Sequence, residues 1–162
     1  MQNNDIFRRI RYALDLRDSK VVGIFGNVNK KVTEGQVRYW LLRDDNTSFV
    51  KLSDLELSAF LNGLIVSRRG LKGDSPPEAE ELLTNNIIFK KLRIALELHA
   101  DGILEMLILA GFTFSRHELS SLFRRPDHKN YRECSDQLLK KFLKGMQLKY
   151  RPAVEEEVVT GE

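Results

Sequence analysis

The sequence has little cysteine and no long apolar run. The first absence argues against a disulfide-linked protein, and the second against a membrane-spanning one. One cysteine among 162 residues permits no internal disulfide, which favours a cytoplasmic protein. No run of about 18 apolar residues occurs, so we expect no membrane span. The opening Met-Gln-Asn-Asn-Asp lacks the basic start and apolar core of a secretory signal peptide. We therefore expect a cytoplasmic protein that makes no contact with a membrane.

Motifs of the common catalytic and cofactor sites are also missing. There is no P-loop, no Gly-x-Gly-x-x-Gly and no Gly-x-Ser-x-Gly. The histidines at 99, 117 and 128 have no Cys, His or carboxylate neighbours at metal-ligand spacing. Cys134 matches a leucine in the repeat described below, which indicates a small core residue rather than a nucleophile. We predict no enzymatic activity, no cofactor and no metal site.

A long internal repeat is present instead. Asn3–Leu16 returns as Asn85–Leu98, 82 positions later, and the pairing continues without a gap to Arg69 and Arg151. Ungapped similarity of this length, with the hydrophobic pattern kept, indicates two copies of one structural unit. A single core is marginal for a chain as short as one copy, so we expect the copies to share an interface, with approximate twofold symmetry.

Hydrophobic spacing predicts four helices in each copy, and hence an all-α fold with about eight main helices. Helix one covers about 4–16, with Asn3 or Asn4 able to cap it. Helix two begins near Asp18, and its counterpart over 101–110 is apolar nearly all round. A helix that is apolar on every side is a buried one, so helix two is predicted to form the centre of each unit.

Helices three and four carry clearer start signals. Helix three opens at Thr33 and at Ser115, each with the spacing of a reciprocal capping box. Helix four covers about 53–67 and 135–149. Its predicted apolar face consists of Leu57, Phe60, Leu61 and Leu64 in the first copy, and Leu138, Leu139, Phe142, Leu143 and Met146 in the second. Gly63 and Gly145 lie inside it, which indicates a close helix contact or an earlier helix end.

The chain divides into four parts of alternating charge. The first unit spans 1–69, a linker 70–84, the second unit 85–152 and an acidic tail, expected to be disordered, 153–162. Their net charges are +4, −3, +6 and −4. Ser75-Pro76-Pro77-Glu78 has the cap, proline and glutamate of a helix start, and predicts a short linker helix over 76–83. The basic units favour an acidic partner.

One basic helix face is the candidate binding site. Lys140, Lys141 and Lys144 cluster opposite the leucines of the second helix four, and Lys149 and Arg151 extend the charge. Such a face can follow phosphates, although a solvated helix surface is the commoner explanation. Helices two and three also resemble a helix-turn-helix in outline, a weak signal that would turn Arg116 towards a groove.

The repeated opening, Asn-Asn-x-x-Phe-(Arg/Lys)-(Arg/Lys)-x-Arg-x-Ala-Leu-(Asp/Glu)-Leu, and the Phe-Leu-x-Gly of helix four resemble the YehS-like family of small bacterial proteins. This family is a tandem-repeat domain of unknown function, and the resemblance covers about 2–151. It implies a bacterial cytoplasmic protein built from two such domains. It implies no activity and no site residues.

These observations lead to three hypotheses about function. The first is a non-enzymatic module that binds a macromolecule, above all another protein, in the groove between the copies. Under this hypothesis the chain can also form a homodimer. The alternative is a nucleic-acid-binding protein that uses the basic second unit, whose binding would depend strongly on salt. An enzyme, the third class, lacks any catalytic constellation in the sequence.

Overall fold

The structure, a computed structural model, describes residues 1–152, and within them the chain forms eight α-helices and no strand. The helices are α1 (Asn3–Ala13), α2 (Asp18–Gly26), α3 (Glu34–Leu41), α4 (Asp54–Arg69), α5 (Asn85–Ala95), α6 (Ala100–Leu109), α7 (Arg116–Leu122) and α8 (Asp136–Tyr150). This order confirms an all-α fold of two four-helix units. The predicted disorder of 153–162 lies outside the described residues. None of the eight helices is both long enough and apolar enough to cross a membrane.

The two units interlock through their first and last helices. Helix α4 of the first unit packs on α5 of the second, and α8 of the second packs on α1 of the first. At the start of α4, Asp54 accepts a hydrogen bond from the backbone N of Leu83 at 2.9 Å. At the start of α8, Asp136 accepts one from the Met1 amine, also at 2.9 Å. Leu83 and Met1 are equivalent in the repeat, so the crossings match and the interface is approximately twofold.

The predicted apolar face of helix four forms the core of each unit. In the first unit the Phe60 ring packs edge-on against Phe7, with centroids 4.9 Å apart. In the second unit Phe142 stacks on Phe89 at 4.2 Å. The other predicted residues of both faces are buried as well. The sequence pattern therefore located the core of each unit correctly.

The prediction that α6 is buried on all sides is wrong. Its residues Met106 and Leu107 are buried, but Ile108 and Leu109 are 63% and 52% exposed. Helix α6 packs mainly on α8 and less extensively on α7. The side that carries Ile108 and Leu109 remains exposed, and apolar composition alone could not reveal this.

Both ends of α1 also differ from the prediction. Asn3 and Asn4 do not cap α1; they lie inside it, after Gln2, whose side chain makes no capping bond. The helix ends at Ala13 rather than near 16, and Asp15 beyond it has the left-handed φ of 52°.

The two predicted capping boxes have different outcomes. Thr33 and Gln36 form a complete box at the start of α3. Ser115 caps α7 alone, because Glu118, the residue expected to bond back to it, pairs with Arg132 at 3.0 Å. The ion pair between Glu118 and Arg132, which forms only in the folded chain, thus takes the place of the hydrogen bond from the Ser115 backbone N to Glu118 that a complete capping box would contain.

A buried asparagine explains why the Asn-Asn pair recurs. Asn4 is 1% exposed, and its amide donates to the carbonyls of Trp40 and Val50 while its oxygen accepts from the backbone N of Leu52, all at 2.9 Å. Asn86 makes the same three bonds to the matching residues of the second unit. Each asparagine therefore holds the loop between the third and fourth helices against the first helix, where the backbone groups would otherwise be unpaired.

The glycines inside helix four mark a close helix contact, one of the two readings of the sequence. A Cβ built on Gly63 would lie less than 3.0 Å from the carbonyl oxygen of Ile24 in α2. A Cβ on Gly145 would meet the equivalent oxygen of Met106 in α6 in the same way. The helices approach so closely that the backbone leaves no space for a side chain.

We expect Gly63→Ala and Gly145→Ala each to lower the free energy of unfolding by about 1–3 kcal/mol, since the helices must separate to admit the methyl group. Urea denaturation followed by circular dichroism measures this. Gly23→Ala in α2 is the matched control, because a Cβ there meets nothing within 4 Å. That change should raise stability by about 0.5–1 kcal/mol. A Gly145→Ala protein as stable as the wild type would contradict the proposed contact.

The linker helix predicted over 76–83 is wrong, because no helix lies between Arg69 and Asn85. The linker runs along α4 instead. Asn62 donates to the backbone carbonyls of Pro77 at 3.5 Å and Glu78 at 3.2 Å. Side chains of α4 thus provide the hydrogen bonds that a linker helix would have made internally.

Candidate functional site

A groove between α4 and α5 lies at the boundary between the units, and we call it the covered groove. It encloses a cavity of about 460 Å³. Ile65 and Val66 of α4 and Ile87 and Ile94 of α5 provide its apolar walls, and the linker closes its outer side. The chain therefore fills part of this groove with its own extended segment.

A partly exposed carboxylate, that of Glu80, fastens the linker to both units. Glu80 accepts hydrogen bonds from the Ser58 hydroxyl of α4 and from Lys91 of α5, the latter at 3.0 Å, and its backbone N donates to Ser58 at 2.9 Å. Lys91 is only 12% exposed in its side chain and also donates to Asn62 at 2.6 Å. Burial opposes the charge on Glu80, but the hydrogen bonds from Ser58 and Lys91 outweigh it and lower the pKa of this carboxyl.

A second groove lies between α1 and α8, and we call it the open groove. Its cavity is about 210 Å³. It is lined by Arg8, Arg9, Tyr12, Leu143 and Gln147. The repeat matches four of these residues to residues that line the covered groove, namely Lys90, Lys91, Ile94 and Ile65. Within 1–152, however, no segment covers it in the way that the linker covers the first groove.

The residues beside the open groove differ from their counterparts mainly in charge. Ser58 and Asn62, buried under the linker, become Lys140 and Lys144, which are exposed. The basic pair Lys90-Lys91 becomes Arg8-Arg9. Lys141, which matches the buried Ala59, is half-buried. On α4, Ser58 and Asn62 are neutral and lie under the linker. On α8, the matching Lys140 and Lys144 are cationic and exposed.

The structure brings only some of the predicted site residues together. Lys140 and Lys144 lie on α8, each one turn before a residue that lines the open groove, and Lys144 donates to Gln147 at 3.5 Å. At the Tyr12 side of the groove, Arg151 donates to the backbone carbonyl of Tyr12 at 3.1 Å. There Arg151 pairs with Asp15 at 3.4 Å and lies 4.2 Å from the centre of the Tyr12 ring. Arg69 makes the equivalent pair with Glu97 at 3.3 Å. Arg151 therefore also connects the two units.

The remaining predicted residues lie elsewhere. Lys149 is placed over the ring of Tyr150 at 5.8 Å. Arg116 begins α7 and pairs with Asp101 of α6, away from the open groove. The basic site therefore remains a prediction, reduced to the residues around α8.

Sequence reasoning missed the contribution of α1 to this groove. Arg8 and Arg9 belong to the repeated opening, where a basic pair recurs as Lys90-Lys91. A recurring pair of basic residues beside an apolar stripe was the available signal. Its meaning depends on α1 crossing α8, a contact between residues that are far apart in sequence.

The described residues offer little for catalysis. Among 1–152, no three His, Cys, Asp or Glu side chains are grouped so that they could hold a metal ion. Cys134 is buried, and burial, with a smaller effect from Asp136, raises its pKa to about 12. Its thiol is thus protonated at neutral pH, which fits the core role expected of it.

Comparisons with known proteins agree with the two-unit fold. The model of a family described as "Protein of unknown function (DUF1456)" matches residues 3–70 and again residues 85–151. The chain is also similar to the "Uncharacterized protein YehS" of Escherichia coli (strain K12), with 44% identity over 148 residues, 90% of this chain and 94% of that protein. No solved structure matches the chain. The two family matches coincide with the two repeat units.

Proposed function

The chain belongs to the family described as "Protein of unknown function (DUF1456)", and on that premise we propose that it is a helical module that binds another protein without catalysing a reaction. The binding site in this proposal is the open groove between α1 and α8. The partner contributes an extended segment, which lies along α8 as the linker lies along α4.

The supporting observation is the way in which the first unit holds the linker. An extended segment leaves its backbone N–H and C=O groups unpaired, and α4 satisfies several of them with side chains. Asn62 bonds two linker carbonyls, Ser58 accepts from the N of Glu80, and Asp54 accepts from the N of Leu83. Helix α4 thus has the chemistry of a peptide-holding surface. In the matching helix α8, Lys140 and Lys144 replace Ser58 and Asn62 and can donate to the carbonyl and carboxylate groups of a partner segment.

A nucleic-acid-binding protein is the second candidate, supported by the exposed cations of α8. Lys140 and Lys144 make no ion pair with any residue of 1–152 and are free to meet phosphates. Arg116 and Arg151 favour this candidate less, since each already pairs with an aspartate.

A cytoplasmic location is part of the proposal. A single cysteine with a buried, protonated thiol needs no oxidising compartment.

A second copy of the chain is one protein partner that the proposal includes. Sedimentation of the purified protein at several concentrations would reveal a homodimer.

We expect a fluorescent ten-residue peptide with the linker sequence 75–84 to bind the full chain with a micromolar Kd. NMR amide shifts should change along α1 and α8 and stay constant in α7. Mixed-sequence duplex DNA and single-stranded RNA, titrated at low and at physiological salt, are the comparison. Binding of nucleic acid alone, weakening steeply with salt, would favour the second candidate instead. Absence of peptide binding at low salt would refute the proposed groove.

A further inference from the structure

We propose that the open groove selects acidic extended segments, and that it holds a glutamate or aspartate of the partner between Arg9 of α1 and Lys140 of α8. This inference deepens the proposed function and rests on it. It specifies the chemistry of the partner, which the peptide-holding role alone does not require.

The covered groove provides the template. There the carboxylate of Glu80 is held between a residue of α4, Ser58, and a residue of α5, Lys91. The repeat places Lys140 and Arg9 at the matching positions of the open groove. A carboxylate lying there would face two cations in place of one, so both of its hydrogen bonds would come from ionised donors.

The extra positive charge has a physical reason. The linker is tethered at both ends to the helices that it covers, so it needs little additional attraction to stay in place. A segment from another molecule loses translational and rotational freedom on binding and must recover that free energy from contacts. Cations at Arg9, Lys140 and Lys144, where the covered groove has one cation and two neutral residues, both attract and hold an acidic segment.

The described aspartates nearest the open groove each have another partner. Asp5 pairs with Arg8 at 2.8 Å, and Asp15 pairs with Arg151. Asp136 accepts from the Met1 amine at 2.9 Å and from Asn85 at 2.7 Å. Arg9 and Lys140 form no ion pair with any described residue, and Lys140 acts on Asp136 only as the last of several causes that lower the pKa of that carboxyl.

The groove also offers an apolar contact, which favours a peptide over a phosphate backbone. Tyr12 and Leu143 line it between the basic residues. A partner segment that carries an apolar residue beside its carboxylate can bury that residue there, as the linker presents Pro77 to the covered groove. Acidic and apolar residues in one extended segment are thus the chemistry that this surface fits.

Two fluorescent peptides test the selection for acid. One has the linker sequence 75–84, and the other has glutamine in place of its three glutamates, Glu78, Glu80 and Glu81. We expect the acidic peptide to bind the full chain about tenfold more tightly, or more, because each charged pair that forms adds to the affinity. Equal binding of both peptides would overturn the selection for acid and leave the peptide-binding function standing.

Protein variants test the position of the site. R9Q/K140Q is expected to weaken binding of the acidic peptide about tenfold, with little change for the glutamine peptide. K20Q/K129Q removes the same charge from exposed lysines outside the groove and should change the Kd less than about twofold. Equal weakening by both variants would mean that net charge, not this groove, attracts the peptide, and would overturn the site.

Two further measurements distinguish a partner peptide from other molecules or segments that could occupy the open groove. In E155Q/E156Q/E157Q three of the four glutamates of the tail 153–162 are neutralised, and tighter peptide binding by this variant would support a groove that selects acid. No binding by wild type or by this variant would refute both the inference and the proposed function. Displacement of the peptide by duplex DNA at tenfold lower concentration than by unlabelled peptide would identify a phosphate site and overturn the inference.

Discussion

Phe142→Ala is expected to lower the free energy of unfolding by about 3–5 kcal/mol, and Phe60→Ala by a similar amount. Both rings are completely buried, and each packs on the phenylalanine of the neighbouring first helix. The truncation removes apolar contacts and leaves a cavity that the surrounding helices cannot fully close, because α4 and α8 are already fixed against α2 and α6 at Gly63 and Gly145.

Urea denaturation measures the effect, with Leu82→Ala as the control. Leu82 is 81% exposed, and its truncation should change stability by less than about 0.5 kcal/mol. Because each unit packs its last helix on the first helix of the other, we expect both phenylalanine variants to shift one common transition. A loss below 1 kcal/mol at both positions would mean that the apolar face of helix four is misplaced.

Replacing the buried asparagines by alanine should have the second large effect. Asn86→Ala leaves the carbonyls of Leu122 and Arg132 and the N–H of Cys134 without their partner. An unpaired buried polar group costs about 1–3 kcal/mol. We therefore expect a loss of at least ~3 kcal/mol for Asn86→Ala, and the same for Asn4→Ala, whose three bonds are equivalent.

Asn130→Ala is the control for these variants, because Asn130 is exposed and its side chain makes no hydrogen bond with the described residues. Hydrogen exchange provides a second readout. The amides of Leu52 and Cys134 should lose protection in the variant of the unit concerned and keep it in the other. An Asn86→Ala protein that retained both its stability and the protection of Cys134 would show that the loop does not depend on this bond.

The different roles proposed for the covered groove and the open groove follow from the duplication of one structural unit. Two copies of one unit give two equivalent grooves, and the chain that joins the copies can cover only one of them. The covered groove, with neutral Ser58 and Asn62, serves the fold, while the cationic open groove remains accessible to another molecule. In this proposal, a surface that first served to join the copies has acquired positive charge and become a binding site.

The sequence by itself determined the repeat, the eight helices and the apolar face of helix four. Helical periodicity is local, and residues such as Phe60 and Phe142 report their burial through neighbours three and four positions away. The recurrence of Gly63 and Gly145 indicated a close contact before its partner was known. The buried Cys134 could also be recognised, because its counterpart is a leucine.

Only the tertiary structure decided the path of the linker, the exposed side of α6 and the open groove. The segment that begins at Ser75 has the local sequence of a helix start. Hydrogen bonds with Asn62 and Ser58 nevertheless hold the linker extended. Arg9 and Lys140 meet at one surface because α1 packs on α8, across most of the chain. Spacing along a sequence reports which face of a helix is apolar, but not which distant helix covers it, and the candidate site depends on that second fact.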